Sequence, residues 1–226
     1  MRLPSRVPAA AVLLGGLLLT SACATDDSAG AAPAPASSAP SPSSPPPSPS
    51  PTATRTSSSG GGGVFSGTRQ VNLLPKNSEA TLGVVQDGKI GLSEKFGDNE
   101  LFVLKPVRPG GDQYWIQTAK LRAGGEPYCL SAKLGPGGKP AAVKTTACDA
   151  AASDQLFRFR QTGESNGKPT YTIRTGQDTY VIQDPTGEIA HTGTGVAAVT
   201  IGEGTPDIDT PFVIADKGKA SMPALD

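Results

Sequence analysis

The sequence has few of the residues from which metal centres and catalytic sites are built. It contains one histidine, three cysteines and one tryptophan in 226 residues. With His191 as the only histidine, no Cys/His spacing of a zinc site is present. No nucleophile elbow lies near it either. We therefore expect His191 to be a solvated loop residue and the protein to be no enzyme, with no metal and no cofactor.

The charges show no excess of either sign. Twenty Lys/Arg residues balance 20 Asp/Glu residues, for a formal net charge of +0. No basic stripe or aromatic-basic cluster is present, so we expect no nucleic acid partner. The Gly-rich segment 135–139 lacks the flanking strand and helix of a phosphate loop and is expected to be a hairpin loop.

The longest apolar run, residues 9–19, is shorter than the about 20 residues that a bilayer-spanning helix needs. Arg2 and Arg6 precede it, and three small residues followed by Cys23 come after it. This pattern is typical of a secretory signal and resembles a bacterial lipoprotein signal. The resemblance implies acylation of Cys23 and lipid anchoring at the extracellular face of the cell membrane. An ordinary signal peptide with a chance cysteine remains the alternative.

Composition divides the chain into four segments. Residues 1–22 are the predicted lipoprotein signal peptide, and residues 23–63 form an Ala/Pro/Ser/Gly-rich linker that is expected to be disordered. Extended polyproline II at about 3.1 Å per residue would lift a domain well away from a membrane. Residues 64–216 are long enough for one globular domain, and residues 217–226 are expected to be a flexible tail.

Within that domain, three phenylalanines recur at an equal spacing of 55 residues. They are Phe102, Phe157 and Phe212, and each is followed two positions later by another apolar residue. Equal spacing with an equal local pattern indicates an internal threefold repeat. We expect the three rings to lie in the core, and the repeat favours a binding module over an enzyme.

The secondary structure is predicted to be all-β. Short apolar runs alternate with polar residues, Gly and Pro interrupt them at short intervals, and no stretch of helix length has a 3.6-residue period. Four strands per repeat give twelve. The predicted strands are 71–73, 84–85, 90–92, 102–104, 114–116, 128–130, 143–145, 157–159, 171–173, 180–182, 199–201 and 212–214.

The second repeat resembles a known family. Its residues, in order, are Tyr128-Cys129-Leu130, Cys148-Asp149 and Gln155-Leu156-Phe157. They are similar to the Cys-Leu pair, second Cys and Gln-x-Trp of a ricin-type β-trefoil (ricin B lectin-like) repeat, with Phe in place of Trp. The resemblance implies a six-stranded barrel capped by three hairpins. With Cys23 assigned to the lipid, Cys129 and Cys148 remain as a predicted disulfide pair in an exported protein.

The resemblance also implies a sugar site in each repeat. In that family a carboxylate after the Cys-Leu pair accepts hydrogen bonds from sugar hydroxyls, and an aromatic ring stacks on the pyranose. The matching positions here hold Gln86, Ser131 and Gln183, and Asp87 and Asp184 follow two of them. The alternative is that both Gln-Asp pairs serve only turns.

Rings for stacking come from two matched positions, Tyr128 and Tyr180, with Trp115 and Tyr171 as further candidates. Trp115 is expected to face away from the core, because its neighbours in the strand face inward, and it either forms a contact surface or is covered by a loop of its own domain. The tentative ligand-binding residues are therefore Gln86, Asp87, Tyr128, Tyr180, Gln183 and Asp184.

Two functions remain open at this point, with a hydrolase that uses His191 on the same scaffold as a distant third. The first is carbohydrate binding, to a glycan or a cell-wall polysaccharide, through degenerate sites in repeats one and three. The second is a protein-interaction or protease-inhibitor-like trefoil that contacts an exported protein through loops 122–127 or 163–169.

Overall fold

A computed structural model describes residues 63–202 and 208–221. The predicted signal peptide, Cys23 and nearly all of the linker lie outside this range. The described residues form twelve strands and no α-helix, which confirms the all-β prediction. The strands are β1 Arg69–Pro75, β2 Thr81–Val84, β3 Ile90–Ser93, β4 Phe102–Pro106, β5 Tyr114–Thr118, β6 Tyr128–Ser131, β7 Lys144–Ala147, β8 Phe157–Ser165, β9 Lys168–Thr175, β10 Thr179–Asp184, β11 Gly195–Thr200 and β12 Phe212–Lys219.

Six strands close into a barrel. Antiparallel pairing runs β1–β4–β5–β8–β9–β12 and returns from β12 to β1. The other six strands form three hairpins, β2–β3, β6–β7 and β10–β11. Closure leaves the barrel without open edges. This pairing is the topology of a β-trefoil with three four-stranded repeats.

The three phenylalanines occupy equivalent places in the ladder. Each begins the fourth strand of its repeat and is fully buried. Each pairs with the first strand of its own repeat and with the last residue of the next repeat's first strand. The partners are Val71 and Thr118 for Phe102, Tyr114 and Thr175 for Phe157, and Tyr171 and Pro75 for Phe212. The threefold repeat is confirmed, and each buried ring contributes on the order of 1.5–3 kcal/mol.

The residue two positions before each phenylalanine joins the hairpins to the barrel. Gln155 accepts a hydrogen bond from the Asp149 N–H (2.9 Å) and donates one to the Ala147 carbonyl (3.1 Å). At the equivalent position of repeat one, Glu100 accepts a hydrogen bond from the Ser93 hydroxyl (2.8 Å). In repeat three, the Thr210 hydroxyl accepts one from the Gln183 N–H (2.8 Å). The Gln-x-Trp-like positions therefore have structural roles in this chain.

The predicted disulfide is confirmed. Cys129 in β6 is bonded to Cys148, which follows β7, with 4.9 Å between their Cα atoms. The side-chain amide of Gln117, in the adjacent strand β5, lies 3.9 and 3.7 Å from the two sulfur atoms. The bond thus closes one hairpin against the barrel within a single repeat.

Phe65, just before the first strand, fills the end of the barrel. Its ring centroid lies 5.2 Å from those of Tyr114 and Phe159 and 5.5 Å from that of Tyr171. Tyr114 begins β5, whose other end leads into the β6–β7 hairpin, so Tyr114 lies toward the end remote from the hairpins. The chain therefore enters the domain at the end opposite the hairpins.

Several strand boundaries differ from the sequence-based prediction: most strands extend beyond their predicted residues, and β2 lies at Thr81–Val84 instead of 84–85. The third strand of repeat three is Gly195–Thr200 instead of 199–201, because its ladder with β10 runs from the Thr179–Thr200 pair to the Asp184–Gly195 pair. The last strand continues to Lys219, which pairs with Arg69. The tail predicted from residue 217 is therefore strand in its first three residues, since β1 extends far enough to pair with them.

The loop predicted at 163–169 is a paired hairpin. Glu164 pairs with Pro169 and Ser165 with Lys168, which leaves only Asn166 and Gly167 in the turn. Both turn residues have positive φ (51° and 70°), as the favoured two-residue hairpin turns require. The segment is therefore a tight two-residue turn between paired strands.

Candidate ligand-binding clefts

The turn after β2 places Asp87 at the boundary between repeats one and two. Asp87 has φ 58°, a left-handed conformation that aspartate tolerates better than most residues. The next residue, Gly88, accepts a hydrogen bond at its carbonyl from the Thr145 hydroxyl (3.0 Å). A Cβ at Gly88 would lie 2.8 Å from the same hydroxyl oxygen. The turn is thus pressed onto strand β7 of the neighbouring repeat.

Tyr128 is held on the other side of that boundary. The residue is 39% exposed, and its backbone N–H donates a hydrogen bond to the Thr118 hydroxyl (3.1 Å). The Arg122 guanidinium lies 5.6 Å from the ring centroid and is paired with Glu126. The loop predicted at 122–127 therefore supports the ring through a cation–π contact.

Asp87 and Tyr128 line one cleft of about 610 Å³, which we call the tyrosine cleft. Two of the predicted site residues, from different repeats, are thereby brought together. The polar side chains that share the cleft with them include those of Asp98, Asn99, Lys120 and Arg122. Gln86 is exposed and begins the same turn, but it is not among the residues that line this cleft.

The site predicted in repeat three is not formed in the same way. Asp184 is 2% exposed, and its carboxylate accepts hydrogen bonds from the N–H groups of Ile189 (3.3 Å) and Ala190 (3.0 Å). Tyr180 packs against a second small buried cluster around Ile182. Asp184 is therefore a buried turn-capping residue instead of a surface ligand, and the turn interpretation applies to it. Gln183 is half-buried beside it.

The other candidate rings are covered by their own domain. Trp115, expected to face outward, is half-buried, and its indole Nε1 is buried without a hydrogen-bond partner. Tyr171 packs on Phe65, and burial raises the pKa of its hydroxyl. Burial, and secondarily the Asp112 carboxylate, raises the pKa of Tyr114. Tyr128 is thus the most exposed of the candidate rings.

A second cleft, of about 860 Å³, lies within repeat one and was not predicted. We call it the glutamate cleft, because its wall holds Glu100, which is only 5% exposed and bonded to Ser93. A Cβ at Gly83 would lie 2.9 Å from the Glu100 side chain, so a glycine makes room for it. Asn99 lines this cleft and the tyrosine cleft. The sequence signal was a Glu at the position where the resemblance implies Gln.

A third cleft, of about 770 Å³, lies where the three repeats meet. We call it the lysine cleft, because Lys89, Lys133 and Lys144 line it together with His191. Asp154 also lines it, and the Ser131 hydroxyl donates a hydrogen bond to the Asp154 carboxylate. Ser131, at the position where the resemblance implies a sugar-binding carboxylate, is thus engaged within the protein. His191 is exposed, in agreement with its prediction as a loop residue.

The part of the chain that the structure describes has neither a cluster of potential metal ligands nor a membrane-spanning helix. Within it, no group of three or more His, Cys, Asp or Glu side chains is placed to hold a metal ion. No helix in the same residues is long and apolar enough to cross a bilayer.

No protein-family model matches the chain, and no curated protein matches it. Solved structures do show a similar fold. One is the BEL β-trefoil, with 15% identity over 66% of this chain and 92% of that chain and a TM-score of 0.49. Another is the Polyporus squamosus lectin bound to a human-type influenza-binding epitope, with 15% identity, 66% and 49% coverage and a TM-score of 0.46.

A third is the cytolethal distending toxin from Actinobacillus actinomycetemcomitans, with 15% identity, 70% and 94% coverage and a TM-score of 0.44. The chain spans about half the length of the Polyporus lectin. At this identity the likeness concerns the fold alone. The domain is a β-trefoil, and that assignment rests on its own closed six-strand pairing.

Proposed function

We propose that this protein is a glycan-binding β-trefoil and that the tyrosine cleft is its binding site. The single observation that carries the proposal is that the Asp87 carboxylate and the exposed Tyr128 ring line the same cleft. A sugar presents hydroxyl groups that must be paired on binding and C–H surface that must be covered. This cleft offers a partner for each.

The division of roles within the cleft follows from side-chain chemistry. Ionised Asp87 and Asp98 accept hydrogen bonds from sugar hydroxyls, and such charge-assisted bonds are the stronger kind. Lys120 and Arg122 donate to ring and hydroxyl oxygens. The flat apolar face of Tyr128 covers the C–H surface of a pyranose. These roles amount to binding without bond cleavage, so we propose a non-enzymatic module for a glycan or a cell-wall polysaccharide.

We further propose that the domain acts at the extracellular face of a cell membrane, anchored by a lipid on Cys23. The support is the pattern of the first 23 residues together with the Cys129–Cys148 disulfide, a bond that persists in exported proteins. Labelling with an alkyne-tagged fatty acid tests the anchor: a Cys23→Ser variant is expected to lose the label and to be released from the membrane.

A glycan array followed by calorimetry tests the binding site. Tyr128→Ala is expected to weaken binding at least tenfold, because it removes the stacking surface. Asp87→Asn removes the charge at a left-handed position that asparagine also tolerates, and it is expected to weaken binding as well. The matched controls are Phe96→Ala, at another exposed large apolar side chain, and Glu164→Gln, at an exposed carboxylate in β8.

Binding that survives both cleft variants, or that falls equally in the two controls, would refute the assignment of the site. No binding to any glycan would remove the function itself and leave a protein partner as the remaining candidate.

A further inference from the structure

Two lysines face each other across a strand bridge in the lysine cleft. Lys89 and Lys144 are direct partners in an isolated antiparallel bridge between repeats one and two. Directly opposed residues of an antiparallel pair lie about 4.5–5.5 Å apart at their Cα atoms. Like charges in that arrangement destabilise a sheet. Two opposed lysines without a carboxylate partner therefore lower the stability of the folded domain.

Neither Lys89 nor Lys144 forms an ion pair, among the described residues, that would offset this destabilisation. Among residues 63–202 and 208–221, the ion pairs are Arg69–Asp216, Arg122–Glu126 and Arg158–Asp112, so neither lysine has a carboxylate partner there. Asp154, the one carboxylate among the described lining residues, accepts a hydrogen bond from Ser131 and still carries its charge, so three lysines share the cleft with one carboxylate. The excess positive charge of the cleft is therefore available to a ligand.

Other residues that line the cleft add further cationic and hydrogen-bonding side chains. Lys133 comes from repeat two and His191 from repeat three, so cationic and hydrogen-bonding groups converge from all three repeats. Hydroxyl groups of Thr146 and Thr192 line the cleft as well. Lysine ammonium groups bind phosphate and carboxylate oxygens as point charges. A volume of about 770 Å³ accommodates more than a bare ion.

We propose that the lysine cleft binds the anionic group, a carboxylate or a phosphate, of an acidic saccharide. The saccharide part of this inference rests on the proposed glycan binding, whereas the anionic part rests on the opposed lysines alone. The site is separate from the tyrosine cleft, although Thr145 lines both. Acidic and neutral sugar units are thus recognised at different places on the domain.

Calorimetry with four probes tests the inference: glucose, glucuronic acid, glucose 6-phosphate and inorganic phosphate. The three sugars share a pyranose and differ at one carbon, so they separate the carboxylate source from the phosphate source. We expect at least one acidic sugar to bind at least tenfold more tightly than both glucose and inorganic phosphate. That binding is expected to weaken as ionic strength rises.

Variants then locate the site. Lys144→Gln is expected to weaken acidic-sugar binding at least tenfold, whereas Lys168→Gln, which removes the same charge from an exposed strand position, leaves it unchanged. Lys144→Glu creates an opposite-charge pair with Lys89, so it is expected to abolish binding without lowering the Tm. Because that variant remains folded, lost binding is distinguished from unfolding.

Three results would overturn the inference. Acidic sugars that bind no more tightly than glucose would do so, as would equal effects of Lys144→Gln and Lys168→Gln. Equal affinities for inorganic phosphate and glucose 6-phosphate would reduce the site to one for small anions. The variant Tyr128→Ala keeps this test apart from the proposed function, since it is expected to impair neutral-glycan binding and leave acidic-sugar binding intact.

Discussion

Replacing Gly88 by alanine tests whether the turn that carries Asp87 is clamped onto the neighbouring repeat. Gly88 has φ +67°, and a Cβ there would lie 2.8 Å from the Thr145 hydroxyl oxygen. Gly110 has nearly the same conformation, φ +71°, with nothing within 4 Å of its Cβ position. Both substitutions therefore incur the left-handed backbone cost of about 1–2 kcal/mol. The collision with Thr145 occurs only at Gly88.

The magnitude of the difference follows from that collision. Relief requires the Thr145 side chain to move, which breaks its 3.0 Å hydrogen bond to the Gly88 carbonyl. A hydrogen bond of this kind contributes about 0.5–1.5 kcal/mol net, and overpacking typically costs about 1–3 kcal/mol. Gly88→Ala is therefore expected to lower the free energy of unfolding by about 2 kcal/mol more than Gly110→Ala, within the range those two terms give.

Urea unfolding followed by circular dichroism measures both variants. Thr145→Ala in the Gly88→Ala background removes the colliding atom, so the double variant is expected to show a coupling energy of about 1 kcal/mol or more. Of the two glycine variants, only Gly88→Ala is expected to weaken glycan binding at the tyrosine cleft, because it displaces Asp87 together with the turn. Equal destabilisation by the two glycine variants, or no coupling to Thr145, would refute the clamp.

Three further predictions concern stability. Reducing the disulfide, which joins residues 19 apart, is expected to destabilise the domain by about 3 kcal/mol in the loop-entropy model and to lower its Tm by about 6–12 °C; an unchanged melt after confirmed reduction would contradict this. Phe65→Ala is expected to lower the free energy of unfolding by about 2 kcal/mol, since the ring is half-buried, while Phe96→Ala at an exposed ring leaves chemical denaturation nearly unchanged. The hydrogen bond from the Arg69 side chain lowers the pKa of Asp216, and a second one from the Gly218 N–H lowers it further. The Arg69–Asp216 pair therefore contributes stability above the unfolded pKa near 3.8. This stability is lost as the pH falls through the lower folded pKa. Because both side chains are about one-third exposed, Asp216→Asn is expected to cost only about 0.2–1 kcal/mol at pH 7, a difference that disappears in acid or high salt.

The fold was predictable because its period is carried by a few large residues. Phe102, Phe157 and Phe212 keep their equal spacing even where the flanking positions differ, so the repeat length survives in the sequence. The register of β11, in contrast, could not be predicted from the sequence. Its residues are buried on both faces apart from the last, so period-2 alternation cannot distinguish one register from the next.

The two Gln-Asp pairs show why the site was only partly predictable. Asp87 and Asp184 follow nearly identical residues, yet one lines a cleft and the other is buried. Gly88 allows a three-residue turn that ends at the neighbouring repeat. Pro185 instead begins a longer loop, which folds back so that its N–H groups bind Asp184. The difference is set by the residues after each pair and by a contact between repeats.

The meeting of Asp87 with Tyr128 is likewise a product of packing between repeats one and two. The two residues belong to different hairpins, and no local pattern relates them. Phe65 and Glu100 were missed for similar reasons. Phe65 follows a glycine-rich stretch without alternation, and Glu100 was recognisable only as a departure from the expected Gln.

Both ends of the domain emerge together at the Phe65-filled end of the barrel. Arg69 pairs with Lys219 there, and the Ala220 N–H donates to the Thr68 carbonyl (2.9 Å). A support attached at either terminus would consequently hold the domain by its base, with the hairpin turns and all three clefts directed outward. We therefore expect coupling of the N-terminal side to a sensor chip to leave the same face free to meet large polymers.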